Sequence, residues 1–389
     1  MFKIIYPSSD ATLYESIPNT NTGVDEILEI GKRLFTSGSN LAKSRSVLKF
    51  DMTDVTNTLS KYNVDINNCK FMLQLYTTHA KNLPAEYTID ANLVGDEWTN
   101  GTGFEKVTPK ISDGVTWNNP KSGSYNWTSG SQEQRVNDSS LYITGDGTGG
   151  SWLYQSGSGF YNGNLTSSYG QTFYTQPGLD SNEEFNFRPT DINIDVTDAI
   201  KIWISGSGGK IIPNNGFILK FSDSDEQDSS VAGFVRFFSR ETHTIYVPRL
   251  TMYFDKSSFE TGSLSQINLD SYTVYTNLKE KYNDQEVSKI RINARDKYPQ
   301  KSPTNLFPLQ TVKYLPSNTL YTLKDAATDE TIIPYDNIYT KVSCDTTSNF
   351  IHMDMSGLMP ERYYRLEFKV VDGFIEEHIE DDFFFKVVR

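Results

Sequence analysis

The segment SKIRINARD (288–296) sets Ile290, Ile292 and Ala294 against Lys289, Arg291, Asn293 and Arg295 in alternation. A period of two belongs to a strand with one buried and one wet face. SRSVLKFD (44–51) repeats the pattern, with Ser46, Leu48 and Phe50 on one side and Arg45, Val47 and Lys49 on the other. Few windows of the 389-residue chain hold an apolar stripe at helical spacing for three turns, which limits the fold to β-architectures. Composition agrees: aromatics reach 13%, and 26 glycines and 15 prolines punctuate short apolar runs as turns require. One short helix is predicted at VTDAIKIWISG (196–206), capped by Asp195 or Thr197 and ended by Gly206.

The length suggests more than one core. All five tryptophans, at 98, 117, 127, 152 and 203, precede residue 204, and after Phe254 the only glycines are Gly262, Gly357 and Gly373. This shift places a boundary at the polar stretch DKSSFETGSLSQ (255–266), read as a linker. Residues 1–254 then form one domain. Residues 267–389, with about seven short strands, form a smaller immunoglobulin- or fibronectin-like sandwich. From 118 to 189 the chain is rich in Gly, Ser, Asn and Tyr, and it reads as long ordered loops or short strands decorating the first sandwich.

A net charge of −13 and the lack of a basic cluster interleaved with aromatics argue against nucleic acid as a partner. No stretch approaches the length of a membrane span. Cys69 and Cys344 give neither a disulfide framework nor paired zinc ligands. The four histidines show no HExxH or i, i+4 spacing, and GDGTGG (145–150) lacks the strand and helix that a phosphate cradle needs. The opening MFKIIYPSSDATLYE has no signal-peptide pattern, so the expected site of synthesis is a cytoplasm.

Several segments, in order, resemble one family: DATLYESIPNTNTGVDEILEIG, SRSVLKFD, DEWTNGT, GVTWNNP, INIDVTDAIKIWISG with NNGFILKFSDSDE, and FVRFFSRE…VPRLTMYF. Together they are similar to the disaggregatase-related (DNRLRE) domains over about residues 1–254. The resemblance implies a jelly-roll β-sandwich of the carbohydrate-binding-module type. That family is found mainly on exported or surface polysaccharide-handling proteins, whereas no signal peptide is expected from the opening residues here. A bacteriophage virion reconciles the two, because its proteins are assembled in the host cytoplasm and freed by lysis. The Asn/Asp/Lys/Tyr/Ile-rich style is also similar to proteins of large tailed phages.

Trp98, Trp117 and Trp203 lie inside these motifs, where core packing is the expectation and sugar stacking the alternative. Tyr125, Trp127, Trp152 and Tyr154 lie in Gly/Ser/Asn-rich sequence, where aromatic rings suit a glycan or a protein partner, against the plainer reading of loops packed on themselves. Asp223, Asp225 and Asp228 in DSDEQD offer oxygen ligands to calcium, against the plainer reading of a solvated acidic turn; no other cofactor is expected. Arg45 is expected to clamp a carboxylate, with Glu241 as its partner, and Asp51 to close the strand at a turn. No catalytic acid/base pair stands out. The functional expectation is a non-enzymatic virion protein of tail, neck or head surface. It would bind other virion proteins, a further copy of itself, or surface glycan. The alternative is an accessory polysaccharide-binding module of a bacterial surface protein.

Overall fold

A computed structural model describes residues 1–34, 41–123, 125–133, 141–155, 169–174, 191–205, 212–304, 306–373 and 375–389. The protein is all-β, with 44% of residues in strands and 9% in helices, arranged in multiple antiparallel sheets consistent with a sandwich fold. It divides into two compact units, Ile5–Thr251 and Met1–Ile4 with Met252–Arg389. No helix among the described residues is long and apolar enough to cross a membrane.

The larger unit is built on an eight-stranded sheet. Its order runs Tyr169–Tyr174, Glu86–Leu93, Phe217–Phe221, Leu41–Phe50, Ile27–Leu34, Gly233–Phe238 and Thr77–Lys81, with Pro7–Tyr14 also paired to Leu41–Phe50. The strand Leu41–Phe50 is the hub. One edge pairs Leu48, Val47 and Ser46 with Phe217, Ile218 and Leu219. The other pairs Leu41–Ser44 with Gly31–Leu34, then passes to Pro7–Tyr14. The alternation in SRSVLKFD predicts one wet face, but both faces are covered: Arg45, Ser46, Val47, Leu48 and Phe50 are all buried. The cover over Arg45 and Val47 is a cluster containing Ala11, Leu13, Val94, Trp98, Val115, Trp117, Trp127 and Ile218. The 118–189 region contributes a three-stranded antiparallel sheet, Ser151–Gln155, Leu141–Asp146 and Ser129–Glu133, and the strand Tyr169–Tyr174. Its residues 134–140, 156–168 and 175–190 lie outside the described residues.

Two helices of eight residues or more flank the strands among the described residues. Thr53–Tyr62 is absent from the sequence reading: its mean hydropathy is low, and it buries only Val55 and Thr58, three positions apart on one face. Asp51, exposed, accepts the Thr53 N–H at 2.9 Å, so the turn that closes the strand also starts this helix. Thr197–Ile204 matches the predicted helix and buries Ala199, Ile200, Ile202 and Trp203; Asp195 accepts the Thr197 N–H at 3.0 Å. Gly206 falls outside the described residues.

Asn21 organises the loop segment around residues 98–116. Fully buried, it donates through Nδ2 to the Asn100 and Val115 carbonyls at 2.7 Å each and accepts the Gly103 N–H at 2.7 Å. A Cβ on Gly23 would lie 2.1 Å from the Asn100 carbonyl oxygen, and one on Gly101 (φ +77°) 2.4 Å from Asn21 Oδ1, so both positions require glycine. Asp10 is buried beside this loop: its N–H donates to Asn100 Oδ1, and its carboxylate accepts the Arg240 N–H at 2.6 Å.

In the smaller unit, a four-stranded sheet runs Tyr272–Thr276, Val287–Asp296, Asn349–Asp354, Ser343–Cys344. A six-stranded sheet runs Lys281–Asn283, Phe384–Val388, Arg362–Asp372, Leu320–Asp325 and Thr331–Ile333, with Ile375–Ile379 hydrogen-bonded to Arg362–Asp372. Ile290, Ile292 and Ala294 are buried as the alternation predicts, while Lys289 and Arg291 on the other face both pair with Asp345. The stretch 255–266 is not a free tether. Glu260 N–H donates to the Cys344 carbonyl at 2.9 Å, Cys344 N–H to that of Ser258 at 2.8 Å, and Phe259 packs edge-on to Tyr314. A phenylalanine in a polar run supplies the anchor.

Burial pushes the Asp10 carboxyl up to about 7, against the Arg240 N–H, which acts in the opposite direction. A carboxyl whose pKa is raised on folding holds a proton that the unfolded chain releases, so its contribution to stability falls as pH rises from about 4 to 7. Asp10→Asn is therefore expected to gain stability relative to the parent between about pH 5 and pH 8 in paired thermal melts; an unchanged difference across that range would contradict this.

Candidate functional site

Four cations lie buried in strands of the larger unit: Arg249, whose Nε donates to Gln74 Oε1 at 2.8 Å, and Lys32, Arg45 and Lys220, with 4%, 2% and 1% exposure. Buried charge persists only where it finds partners. The last three are answered by one short acidic element. DSDEQD is not an open loop but a helical turn, Asp223–Gln227, whose cap Ser222 accepts the Asp225 N–H. Glu226 makes a two-pronged contact with Arg45, Nε to Oε1 at 2.9 Å and Nη2 to Oε2 at 2.5 Å. Asp223 pairs with Lys220. The Asp225 and Asp228 carbonyls accept from Lys32 Nζ at 3.1 and 2.6 Å.

The aspartates weighed as calcium ligands have partners within the fold. The Asp225 carboxylate accepts the Thr88 N–H at 2.9 Å, and that of Asp228 accepts the Ser230 N–H and hydroxyl. Among the described residues no three His, Cys, Asp or Glu side chains converge on a point. Arg45 does clamp a carboxylate, but Glu226 is the partner and not Glu241, which pairs with neighbouring Arg240 at 2.6 Å. The correction has a physical cause: a guanidinium inside the protein needs a carboxylate that is itself inside, and Glu241 lies in a partly exposed turn.

The aromatic residues separate. Arg45 lies between the Trp117 and Trp152 rings, with Cζ 5.3 and 5.4 Å from their centroids, and Lys220 Nζ stands 4.9 Å from that of Trp152. Nη1 of Arg45 also donates to the Gly149 carbonyl at 2.8 Å. Trp127, expected on a displayed loop, is buried in the core with its N–H on the Thr116 carbonyl. Trp98 and Trp203 are buried as well, the first bonded to the Asn215 carbonyl and the second packed on Phe217. Tyr125 remains exposed. Tyr154 sits in the strand Ser151–Gln155 opposite Tyr142, and its side chain is outside the described residues. Of the three rings described, Trp127 and Trp152 belong to the packing around Arg45 and Trp117, and Tyr125 stands apart in solvent.

A cleft lies elsewhere on this unit, with a volume of about 220 Å³ and walls that include Tyr14, Asp25, Glu26, Phe104, Glu105 and Arg236. One wall residue, Arg236, is held from behind by buried Glu29, which accepts Arg33 Nε and Arg236 Nε, both at 2.9 Å, and the Ser44 hydroxyl at 3.2 Å. Arg33 lies over the Tyr14 and Phe234 rings at 5.7 and 5.4 Å. On the rim, Asp25 accepts the Glu105 N–H, and burial pushes its carboxyl up to about 6. Burial and the nearby Glu29 hold the Tyr14 hydroxyl well above its ordinary range. Phe104 and Val107 are exposed at the mouth. A half-exposed ring beside carboxylates and a guanidinium can hold a polar ligand with one apolar face. Sequence reasoning did not find this site, because residues 14, 25–27, 104–107 and 236 meet only through the Asn21 clamp and the strand pairing of Gly233–Phe238 with Ile27–Lys32.

No family model matches the chain, and no curated protein matches it. A solved structure it is similar to is the β-glucuronidase of Parabacteroides merdae, determined with glycerol in its active site, at 9% identity and a TM-score of 0.16. The match covers 82% of this chain and 28% of that enzyme.

Removing one partner of a buried ion pair leaves the other charge uncompensated and costs about 3–5 kcal/mol. Arg45→Met is thus expected to lower the melting temperature by roughly 10 °C, while Glu241→Gln, in a partly exposed pair, changes stability by less than about 0.5 kcal/mol. Equal effects of the two substitutions would contradict the assignment of Glu226 as the partner.

Proposed function

We propose that the protein is a non-enzymatic structural and adhesion component of a bacteriophage virion, at its tail, neck or head surface. The larger unit would be displayed in the manner of a carbohydrate-binding module, and other virion subunits would be docking partners. The observation that carries the non-catalytic part is how the buried charges are used. Arg45 with Glu226 of the helical turn, and Glu29 with Arg33 and Arg236, answer one another's charge. A general acid or base needs a proton-exchanging group open to substrate, and these pairs are not of that kind; Asp25 at the cleft, its carboxyl raised to about 6, is the group to replace in a test for turnover. The adhesive part is supported by the cleft at Tyr14, Asp25 and Phe104, which combines an apolar surface with hydrogen-bonding groups in a space of monosaccharide scale.

The full-length chain applied to an array of bacterial surface glycans is expected to bind. Phe104→Ala should weaken that binding by about tenfold, the loss of one stacking contact, without a change in melting temperature. Mass spectrometry of purified virions is expected to find the chain. Glycan binding without virion incorporation would move the assignment to an accessory polysaccharide-binding module of a bacterial surface protein. Turnover of a bound polysaccharide would overturn the non-enzymatic reading.

A further inference from the structure

The smaller unit exposes an apolar loop with an unusual charge. Between the strands Val287–Asp296 and Leu320–Asp325, residues 297–311 carry Tyr298, Leu306, Phe307 and Leu309 at 78%, 63%, 68% and 58% exposure. Pro308 between them is buried, and it starts the short 3-10 turn Pro308–Gln310 that holds Phe307 and Leu309 outward. Single exposed apolar residues need no explanation, but four large ones on one anchored loop mark an interaction surface. The segment RDKYPQKSPTNLFPLQTVK (295–313) also holds Arg295, Lys297, Lys301 and Lys313 against one acid, Asp296, in a chain of net charge −13. Asp296 is already paired with Lys313 at 2.5 Å.

The same unit holds the electrostatic complement. DGFIEEHIEDD (372–382) has six carboxylates and no lysine or arginine. Its strand, Ile375–Ile379, pairs only with Arg362–Asp372, which leaves the other edge unpaired among the described residues. Asp372, Glu376, Glu377, Glu380, Asp381 and Asp382 are exposed, and of these Glu376 already pairs with Lys369 at 2.5 Å. The two segments emerge at one end of the unit. Asp372 accepts Gln266 Nε2 at 3.1 Å, and Gln266 bridges to Tyr314, the residue that follows Lys313.

We infer that this end is a docking surface for a second copy of the chain, with the basic apolar loop of each copy seated against the acidic hairpin of the other. A two-fold contact requires that a surface carry its own complement, so that each of two different segments meets the other once in each direction. Adjacent segments of opposite charge satisfy that condition, and the apolar side chains supply the water-excluded centre that charge alone does not. The inference goes beyond the virion reading and does not depend on it, since self-association is measured on the isolated chain.

The test is sedimentation equilibrium of the full-length chain from about 1 to 100 µM, a range that brackets micromolar affinity. A dimer is expected, weakened by added salt. Leu306→Asp with Phe307→Asp should give a monomer with an unchanged melting temperature, since both side chains are exposed in the monomer. Lys297→Glu with Lys301→Glu should weaken the dimer at least about tenfold, as should Glu377→Lys with Glu380→Lys, and combining all four should restore most of the loss. A monomer throughout the range, or an oligomer that survives Leu306→Asp with Phe307→Asp, would overturn the surface. Failure of the combined charge exchange to restore association would overturn the pairing of loop with hairpin.

Discussion

A guanidinium enclosed by protein is the constraint around which the larger unit is arranged. Arg45 sits at the centre of the longest strand of its sheet, where the pairing on one edge passes from Ile27–Leu34 to Pro7–Tyr14. Its charge cannot be left bare there. Satisfying it draws in a helical turn from 181 residues away, a glycine carbonyl and two tryptophan faces. The three-stranded sheet Ser129–Glu133, Leu141–Asp146, Ser151–Gln155 reaches this cluster through Trp152, which covers both Arg45 and Lys220. A buried salt bridge of this kind is weak as a source of net stability, but it is exacting about geometry. Only one seating of the Asp223–Gln227 turn meets Lys32, Arg45 and Lys220 together.

The strands were legible in the sequence because alternation is a local property. Ile290, Ile292 and Ala294 are buried as their spacing demands. The same rule is incomplete at Arg45 and Val47, since a period of two reports a change of face and not whether a second layer covers it. That layer comes from residues 94–152, and no local pattern announces it. DSDEQD was legible as a concentration of negative charge, and the open question was its counter-ion. The answer lies in cations set in buried strands, Lys32 in ILEIGKRL and Lys220 in FILKF, a signal visible only once the strands are known to be covered. The same limit applies to Trp127: glycine-rich surroundings suggested display, yet a ring of that size in a tight loop has a packing site within reach.

The cleft was not legible at all. Its carboxylates and rings come from four separate stretches, and no pair among them has a spacing that chemistry requires. What assembles them is backbone geometry: a buried asparagine that donates to the carbonyls of Asn100 and Val115, on the two sides of a loop, and accepts from the Gly103 N–H within it. Asparagine suits this task because its amide offers both functions on one short, stiff side chain.

The glycines around Asn21 have a consequence for how such a chain can vary over time. Gly23, Gly101, Gly103 and Gly114 each lie so near backbone that an added methyl would stand within 2.5 Å of it or of Asn21. The base of the loop is therefore closed to substitution, whereas Phe104, Glu105, Lys106 and Val107 project from it with no such restriction. A fixed hinge beneath a freely mutable rim lets the surface diversify residue by residue while its depth and position stay constant. What such a site recognises could change between close relatives without any change in the fold that carries it.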